Sequence, residues 1–252
     1  MNLRGCQFLE KIPDLSGIPN IKYLFLSDCT SLVELDDSVG FLDKLVGLDL
    51  SGCVNLTKFG RRLRLKSLET LNLMGCASLE SFPEIEVKME SLRRLDMEGS
   101  GIRELPPSIK HLTGLENLNI ERCFNLTRLE LRLLHCWSTL RFLDLSGANF
   151  VTLPECISKF VSLECLTLRD CKSLREIPQE VLPPSVYWVS LDNCTSLEKF
   201  PKLPLSSEVE YVSLMNCVSL RGYDITENSI LDQVSVSSLS VSLFVSPSML
   251  HG

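Results

Sequence analysis

Cysteine is the residue type in this chain that most invites a chemical explanation. Eleven cysteines occur among 252 residues, enough to consider a metal centre, disulfides or a nucleophilic thiol. Eight of them share one position of a recurring unit: Cys6, Cys29, Cys53, Cys76, Cys123, Cys171, Cys194 and Cys217. A single recurring position has a structural explanation, because cysteine is small, readily buried and a weak S–H donor. We therefore expect a column of buried thiols.

Other cysteine chemistry has less support. No C-x-x-C occurs, and because the nearest metal-like grouping is only Cys123 with His135 and Cys136, we predict no metal site. Neighbouring column cysteines are close enough for disulfides, but bridging would break the hydrogen bonds expected there. No secretory signal precedes the first repeat, which favours reduced thiols. Cys136, Cys156 and Cys165 lie outside the column and have no recognisable histidine base.

Carboxylates are the second feature with chemical meaning. Asp96, Glu98, Glu121 and Asp144 are predicted to lie on one face of neighbouring strands. Two carboxylates can act as acid and base in a hydrolase. An open sheet surface neither excludes water nor raises a carboxylate pKa, so we do not expect catalysis. Two interpretations stay open: partner recognition, and short polar residues that simply suit this strand position.

These residues are carried by a unit that reads L-x-x-L-x-L-x-x-C-x-x-L-x-x-Φ-P and recurs every 23 to 25 residues. Its units begin at Ile21, Leu45, Leu68, Leu92, Leu115, Leu140, Leu163, Val186 and Val209. A partial unit with Leu3 and Cys6 precedes them. Such a period predicts a stack of small units that presents a surface, rather than one globular core.

The unit also predicts the fold class, which is an α/β solenoid. Alternation, as in Leu71-Asn72-Leu73, indicates a half-buried strand, and strands that return once per unit must be parallel. The prolines of the Leu-Pro and Phe-Pro phrases favour irregular or short helical return arms, as at 106–109 and 154–157, and discourage a second strand. We predict a curved, horseshoe-shaped solenoid with a parallel β-sheet on its concave face and these arms on its convex side.

Composition restricts the core and the partners. Aromatic residues make up only 7% of a chain that is 44% hydrophobic, so the core must be built largely from leucine, isoleucine and valine. A net charge of −7 argues against nucleic acid, because phosphate binding requires a basic surface. No apolar run of about 18 residues occurs, so the sequence predicts no membrane-spanning helix.

The pattern resembles the leucine-rich repeat, with cysteine at the position that many members fill with asparagine. Phrases such as SGCVNLTKF, MGCASLESFPEI, GSGIRELPPSI and RDCKSLREIP resemble the repeats of plant intracellular immune receptors. The similarity is greatest to the class with a Toll/interleukin-receptor-like domain and a nucleotide-binding domain. It covers residues 1–222. No G-x-x-x-x-G-K-[ST] loop is present, so the family's nucleotide switching cannot be assigned to this chain.

The strand positions that face away from the core line the concave face, the usual binding surface of a curved repeat protein. Trp188 and Tyr211 are expected side by side, and Tyr23 and Phe25 near the other end; exposed aromatic residues are typical binding hot spots. The predicted partner-binding residues are Tyr23, Phe25, Arg94, Asp96, Glu98, Asn119, Glu121, Phe142, Asp144, Arg169, Trp188 and Tyr211.

Two segments are expected. Residues 1–222 form about ten repeats, and residues 223–252 form a C-terminal cap, a disordered tail or the start of a β-rich module. Because the first unit begins within a repeat and without a polar cap, we expect either a lost upstream domain or a truncated gene product.

The resemblance implies a protein-interaction module of a disease resistance receptor. Such a module senses a pathogen effector or a host target and restrains a nucleotide-binding domain that this chain lacks. The alternative is a stand-alone repeat scaffold or substrate-recruiting adaptor. Neither function requires enzyme activity, a cofactor, nucleic acid or a membrane. The resemblance places the protein in the cytoplasm, or also in the nucleus.

Overall fold

The computed structural model describes residues 1–126, 137–201 and 208–220. Two compact units divide the chain, the first spanning Met1–Phe142 and the second beginning at Leu143. Both are built from stacked repeats with parallel strands, so the predicted leucine-rich repeat solenoid is confirmed. The segment 223–252, for which we predicted a cap, a tail or a further module, lies outside the described residues.

In the first unit, one three-residue strand per repeat forms the main sheet. Its strands are β2 (Tyr23–Phe25), β4 (Gly47–Asp49), β7 (Thr70–Asn72), β9 (Arg94–Asp96) and β10 (Asn117–Asn119). They pair in parallel in that order, and the central leucines Leu24, Leu48, Leu71, Leu95 and Leu118 are aligned from strand to strand. The register predicted from the repeat is therefore confirmed in this unit.

The arms of the first unit differ from the expectation that they would contain no strand. They form two-residue strands: β1 (Lys11–Ile12), β3 (Glu34–Leu35), β5 (Lys58–Phe59), β6 (Arg62–Leu63) and β8 (Glu84–Ile85). β1, β3 and β5 pair in parallel, as do β6 and β8. The prediction was wrong here because arms of adjacent repeats lie parallel and exchange backbone hydrogen bonds, and only β1 and β8 lie next to a proline, Pro13 and Pro83.

Short helices follow the leucine–proline phrases, as predicted. Two 3₁₀ helices follow such phrases, at Pro107–His111 and Glu155–Lys159, and a third, Asp37–Phe41, follows Leu35-Asp36 instead. The Asp37–Phe41 helix is capped by Asp36, whose carboxylate accepts the Ser38 N–H at 2.9 Å. The Pro107–His111 helix starts with proline, which suits the first turn because its missing N–H would have no partner there. None of the described helices is long and apolar enough to cross a membrane.

The second unit repeats the same geometry. Its strands are β12 (Cys165–Thr167), β13 (Trp188–Ser190) and β14 (Tyr211–Ser213), whereas β11 (Phe142–Asp144) contains the boundary, with Phe142 in the first unit. β12, β13 and β14 pair in parallel with Leu166, Val189 and Val212 aligned. The register predicted from the repeat is confirmed here as well.

The repeat leucines form the core of each unit. Leu24, Leu50, Leu73, Leu145 and Leu168 are almost completely buried. Each apolar side chain packs on its counterparts in adjacent repeats, so burial is shared along the stack instead of centred on one point. The core is thus aliphatic with few aromatic residues, as the composition required.

A second column, which the sequence analysis did not identify, lies just before the cysteine position. Its residues all have positive φ: Gly5, Asp28, Gly52, Gly75, Gly99, Arg122, Gly147, Asp170, Asn193 and Asn216. Glycine, asparagine and aspartate tolerate this left-handed conformation. Arg122, at φ 56°, is the one long side chain in the column among the described residues. The sequence does show this column: the residue just before the cysteine position is glycine, aspartate or asparagine in each of these repeats except the one with Arg122.

Candidate functional site

The candidate site is the open strand face, which we define as the solvent-facing residues of the main-sheet strands and the residues just after them. All twelve predicted partner-binding residues lie on it, and none is buried. In the first unit they are Tyr23, Phe25, Arg94, Asp96, Glu98, Asn119, Glu121 and Phe142. In the second unit they are Asp144, Arg169, Trp188 and Tyr211. A role in partner binding stays a prediction.

The aspartates and asparagines in the middle of the open strand face have a structural task. In Asp49, Asn72, Asp96, Asn119 and Asp144, the side-chain oxygen accepts the backbone N–H two residues later, at 2.8–3.2 Å. This local bond turns the chain out of the strand. Short polar residues therefore recur here for backbone reasons, which supports the structural interpretation of this column.

The predicted acidic centre is partly neutralised. Arg122 lies 3.6 Å from a carboxylate oxygen of Glu98 and 3.4 Å from one of Glu121. Asp96 caps the Glu98 N–H at 3.0 Å with one oxygen. The carboxylates invoked for a hydrolase are thus engaged in capping and ion pairing. The fourth, Asp144, belongs to the second unit, where it caps Ser146.

Trp188 and Tyr211 form a stacked pair in the second unit. Their ring centroids are 3.8 Å apart and their planes differ by 21°. The two residues are direct partners in the β13–β14 register, and Trp188 remains 36% exposed. Mutual stacking restrains both rings while leaving apolar surface open to solvent, an arrangement suited to binding a partner.

A polar network continues from this aromatic pair. The Asp192 carboxylate accepts the Ser213 hydroxyl and the Met215 N–H, the latter at 3.0 Å. Ser190 donates its hydroxyl to the other Asp192 oxygen at 3.3 Å and accepts Arg169 Nε at 3.1 Å. The network fixes the polar edge of the second unit's face. Asp192 was not among the predicted residues, although its place just after the strand gave the signal.

The first unit carries another aromatic pair, formed by Tyr23 and Phe25. Their ring centroids are 5.9 Å apart, with planes 14° from parallel. Arg4 lies with its guanidinium carbon 4.4 Å from the Phe25 ring centroid and its Nη2 3.4 Å from Asp49 Oδ2. Sequence reasoning placed Arg4 and Asp49 on this face but did not select them, because the guanidinium contact depends on side-chain geometry.

A shallow depression of about 440 Å³ lies beside that pair. It crosses β2, β4, β7, β9 and β10, and its lining is mixed. The lining residues are Tyr23, Phe25, Gly47, Leu48, Asp49, Thr70, Leu71, Asn72, Arg94, Leu95, Asp96 and Asn117. Since the floor is the sheet itself, the depression is shaped to accept an extended segment instead of enclosing a small molecule.

The cysteine column forms a ladder of hydrogen bonds. Every column S–H after Cys6 donates to the carbonyl of the residue three positions before the equivalent position in the preceding repeat. The Sγ–oxygen distances are 3.0 Å for Cys29–Leu3, 3.1 Å for Cys53–Leu26 and 3.2 Å for Cys76–Leu50. Cys123, Cys171, Cys194 and Cys217 repeat the contact. The predicted column is thus present, and five of its eight thiols are buried, whereas Cys6, Cys123 and Cys217 are half-buried.

We expect the thiols of Cys53 and Cys76 to be inert in the folded chain. Burial raises the pKa of the Cys53 and Cys76 thiols from 9.0 to about 12. At pH 9, iodoacetamide should leave both unmodified in the folded chain and modify both in guanidinium chloride, because the thiolate is the nucleophile. Half-buried Cys6 serves as the internal control for reagent activity. Peptide mass spectrometry measures each site, and equal modification in both states would contradict the ladder.

The same shift determines the pH dependence of stability. Above pH 9, unfolded thiols lose protons that Cys53 and Cys76 keep in the folded chain until about pH 12. The unfolded state then binds fewer protons, so the free energy of unfolding falls as pH rises through this window.

Metal binding gains no support from the geometry. Among the described residues, no group of three histidine, cysteine or acidic side chains is placed to hold an ion. Of the grouping considered from sequence, Cys123 belongs to the ladder, while His135 and Cys136 lie outside the described residues.

Among proteins of known function, the chain is similar to plant resistance proteins. No family model matches the chain. TMV resistance protein N of Nicotiana glutinosa is 40% identical over 119 residues, 46% of this chain and 10% of that protein. Disease resistance protein RML1A of Arabidopsis thaliana is 35% identical over 126 residues, 50% of this chain and 12% of that protein. The chain thus spans only about a tenth of the length of these relatives.

Among solved structures, the leucine-rich repeat domain of the type III effector XopL is similar in fold. It superposes with a TM-score of 0.51 at 23% identity, covering 84% of this chain and 67% of that one. At this identity the match shows the shared fold alone.

Proposed function

We propose that this leucine-rich repeat chain, whose repeats are similar to those of plant disease resistance proteins, is the protein-recognition module of such a receptor. In this role the open strand face senses a pathogen effector or a host target. The module also restrains an adjoining nucleotide-binding domain, in the cytoplasm or the nucleus. The relatives' much greater length supports the proposal that further domains supply the signalling activity.

The observation that carries the proposal is the exposed Trp188–Tyr211 pair. A repeat protein has no structural need to place two large rings on the outer side of its sheet, where Trp188 is exposed and Tyr211 half-buried, since full burial elsewhere would stabilise the fold. The rings are already stacked at 3.8 Å, so they lose little conformational freedom when a partner covers them. Large, restrained aromatic side chains of this kind account for much of the energy in protein interfaces.

The polar surroundings suit a protein partner. Ser190, two residues after Trp188 in the same strand, joins Arg169 and Asp192 in one hydrogen-bond network. An apolar centre with a polar edge is the usual arrangement of a protein interface, in which the edge contributes orientation and the centre contributes affinity. Nothing in this arrangement requires a reacting group.

We expect the double variant Trp188→Ala, Tyr211→Ala to lose partner binding by a factor of about 30 or more, because removal of a hot-spot residue costs at least about 2 kcal/mol. The measurement is co-precipitation from plant tissue with the full receptor, followed by affinity measurement on the recovered, purified partner. The melting temperature of the double variant should stay close to that of the parent chain, because the two rings do not belong to the buried core.

Val161→Ala is the matched control, because Val161 is an exposed apolar residue of the same unit that lies off the strand face. It should bind like the parent. The proposal fails if the double variant binds the recovered partner as tightly as Val161→Ala does. A large loss of stability in the double variant would instead assign the two rings to the core.

A further inference from the structure

The first unit contains a fitted site for a guanidinium group, and the chain's own Arg4 occupies it. The Arg4 guanidinium carbon stands 4.4 Å from the Phe25 ring centroid, within the range of a cation–π contact. Its Nη2 lies 3.4 Å from Asp49 Oδ2. One guanidinium group is therefore bound by a ring face and a carboxylate at the same time.

Asp49 and Phe25, which hold the guanidinium group, are more restrained than Arg4 itself. The Asp49 side chain is 19% exposed, whereas that of Arg4 is 52% exposed. Asp49 Oδ1 accepts the Ser51 N–H at 3.2 Å and the Ser51 hydroxyl at 2.7 Å, so the carboxylate is fixed with Oδ2 toward Arg4. Phe25 is held against Tyr23. The acceptor is preorganised, while the arginine that fills it is half in solvent and replaceable.

The site opens onto the depression beside β2. Gly47, which has no side chain, leaves room for the Tyr23 ring: a Cβ there would lie 3.1 Å from Tyr23 Cδ1. The depression then runs across Thr70 and Asn72 to the Asp96 carboxylate. An extended segment lying across these strands could insert one side chain between Phe25 and Asp49.

We propose that the first unit's open strand face recognises an arginine side chain on an extended segment of a protein partner, held by Phe25 and Asp49, with Arg4 as the internal occupant that the partner displaces. The inference rests on the proposed recognition function and names the chemistry of one of its surfaces. Arginine is favoured over lysine because a planar guanidinium stacks on a ring while donating to a carboxylate, and an ammonium does not stack. Because a ligand must displace Arg4, its apparent affinity is lower than its affinity for the empty site.

The test uses the full chain and a defined probe, the acetylated and amidated peptide Gly-Ser-Gly-Arg-Gly-Ser-Gly. Two further peptides replace its arginine with lysine or with neutral citrulline. Binding is followed by NMR through the backbone amides near Gly47 and Ser51. We expect Arg4→Ala to bind the arginine peptide about tenfold more tightly than the parent if Arg4 fills the site nine-tenths of the time.

Two variants in the Arg4→Ala background locate the site. Asp49→Asn removes the charge but keeps the backbone cap, as asparagine does at Asn72 and Asn119 in the same column. Phe25→Leu removes the ring and keeps an apolar side chain. Each should lower affinity for the arginine peptide by about tenfold or more, while Lys58→Gln, which removes an exposed cation from an arm strand of the same unit, should leave it unchanged.

Several outcomes would overturn the inference. One is equal binding of the arginine and citrulline peptides; another is an Arg4→Ala affinity no higher than that of the parent. A third is full binding by both the Asp49→Asn and Phe25→Leu variants. None of these outcomes changes the result expected for the Trp188–Tyr211 double variant, because that experiment concerns the second unit and a recovered partner. If the peptide result holds and that experiment fails, the arginine site stands without the proposed receptor function.

Discussion

Replacing Leu73 with alanine is expected to lower the free energy of unfolding by about 2–5 kcal/mol. Leu73 is completely buried and packs between the repeats before and after it. Alanine removes apolar contact and leaves a cavity that the stack cannot close, because the backbone on each side is fixed by strand hydrogen bonds. The Leu73 N–H, for example, donates to the Asp96 carbonyl at 2.7 Å. Guanidinium chloride unfolding measures the change.

Met74→Ala is the matched control, one residue further along the same chain segment. Met74 is 41% exposed, so its truncation should change stability by no more than about 0.5 kcal/mol. Leu168→Ala tests the equivalent buried position in the second unit and should cost as much as Leu73→Ala. Unfolding of Leu73→Ala at the same denaturant concentration as Met74→Ala would contradict the alternation of buried and exposed residues.

A single added methyl group should produce the second large effect. In Gly114→Ala, the new Cβ would lie 2.0 Å from the Glu90 carbonyl oxygen and 2.5 Å from Arg93 Nη1. Backbone atoms of the neighbouring repeat cannot move aside as the end of a flexible side chain can. We therefore expect a loss of about 1–3 kcal/mol in the free energy of unfolding. The Arg93 contact to the Gly114 carbonyl, 2.7 Å long, should weaken too.

Gly17→Ala is the control for Gly114→Ala. Nothing lies within 4 Å of the position that a Cβ would take at Gly17. Alanine there should be neutral, or should stabilise by up to about 1 kcal/mol through the unfolded state. Differential scanning calorimetry on both variants gives the comparison. Equal melting temperatures would show that adjacent repeats are packed less closely at Gly114 than the structure indicates.

The register was predictable because two periods agree. Alternation of period two assigns the inward side of each strand, and a repeat of 23 to 25 residues returns the chain to the same place in the next unit. Leu71 and Leu95 therefore had to align, as they do. The paired arms at Glu34–Leu35 and Lys58–Phe59 were not predictable in the same way, since two residues carry too little pattern to distinguish strand from loop.

The cysteine ladder was predictable as a column but not as a network. Recurrence at one position pointed to a shared structural role. The direction of each bond depends on the rise from one repeat to the next, which brings Cys53 Sγ to 3.1 Å from the Leu26 carbonyl. The column with positive φ was readable from glycine, aspartate and asparagine, whereas Arg122 concealed it because arginine rarely adopts that conformation.

The candidate site, too, was predictable in part from the sequence and in part only from the tertiary structure. By itself the sequence determined which residues face solvent and which strand neighbours they have, so Trp188 beside Tyr211 followed from their 23-residue separation. The tertiary structure decided which of these side chains touch. It brought Arg4 onto Phe25 and Asp49, and Arg122 onto Glu98 and Glu121. A repeat period determines backbone position, whereas contacts between long side chains depend on rotamers and distances of a few ångströms, which no spacing in the sequence records.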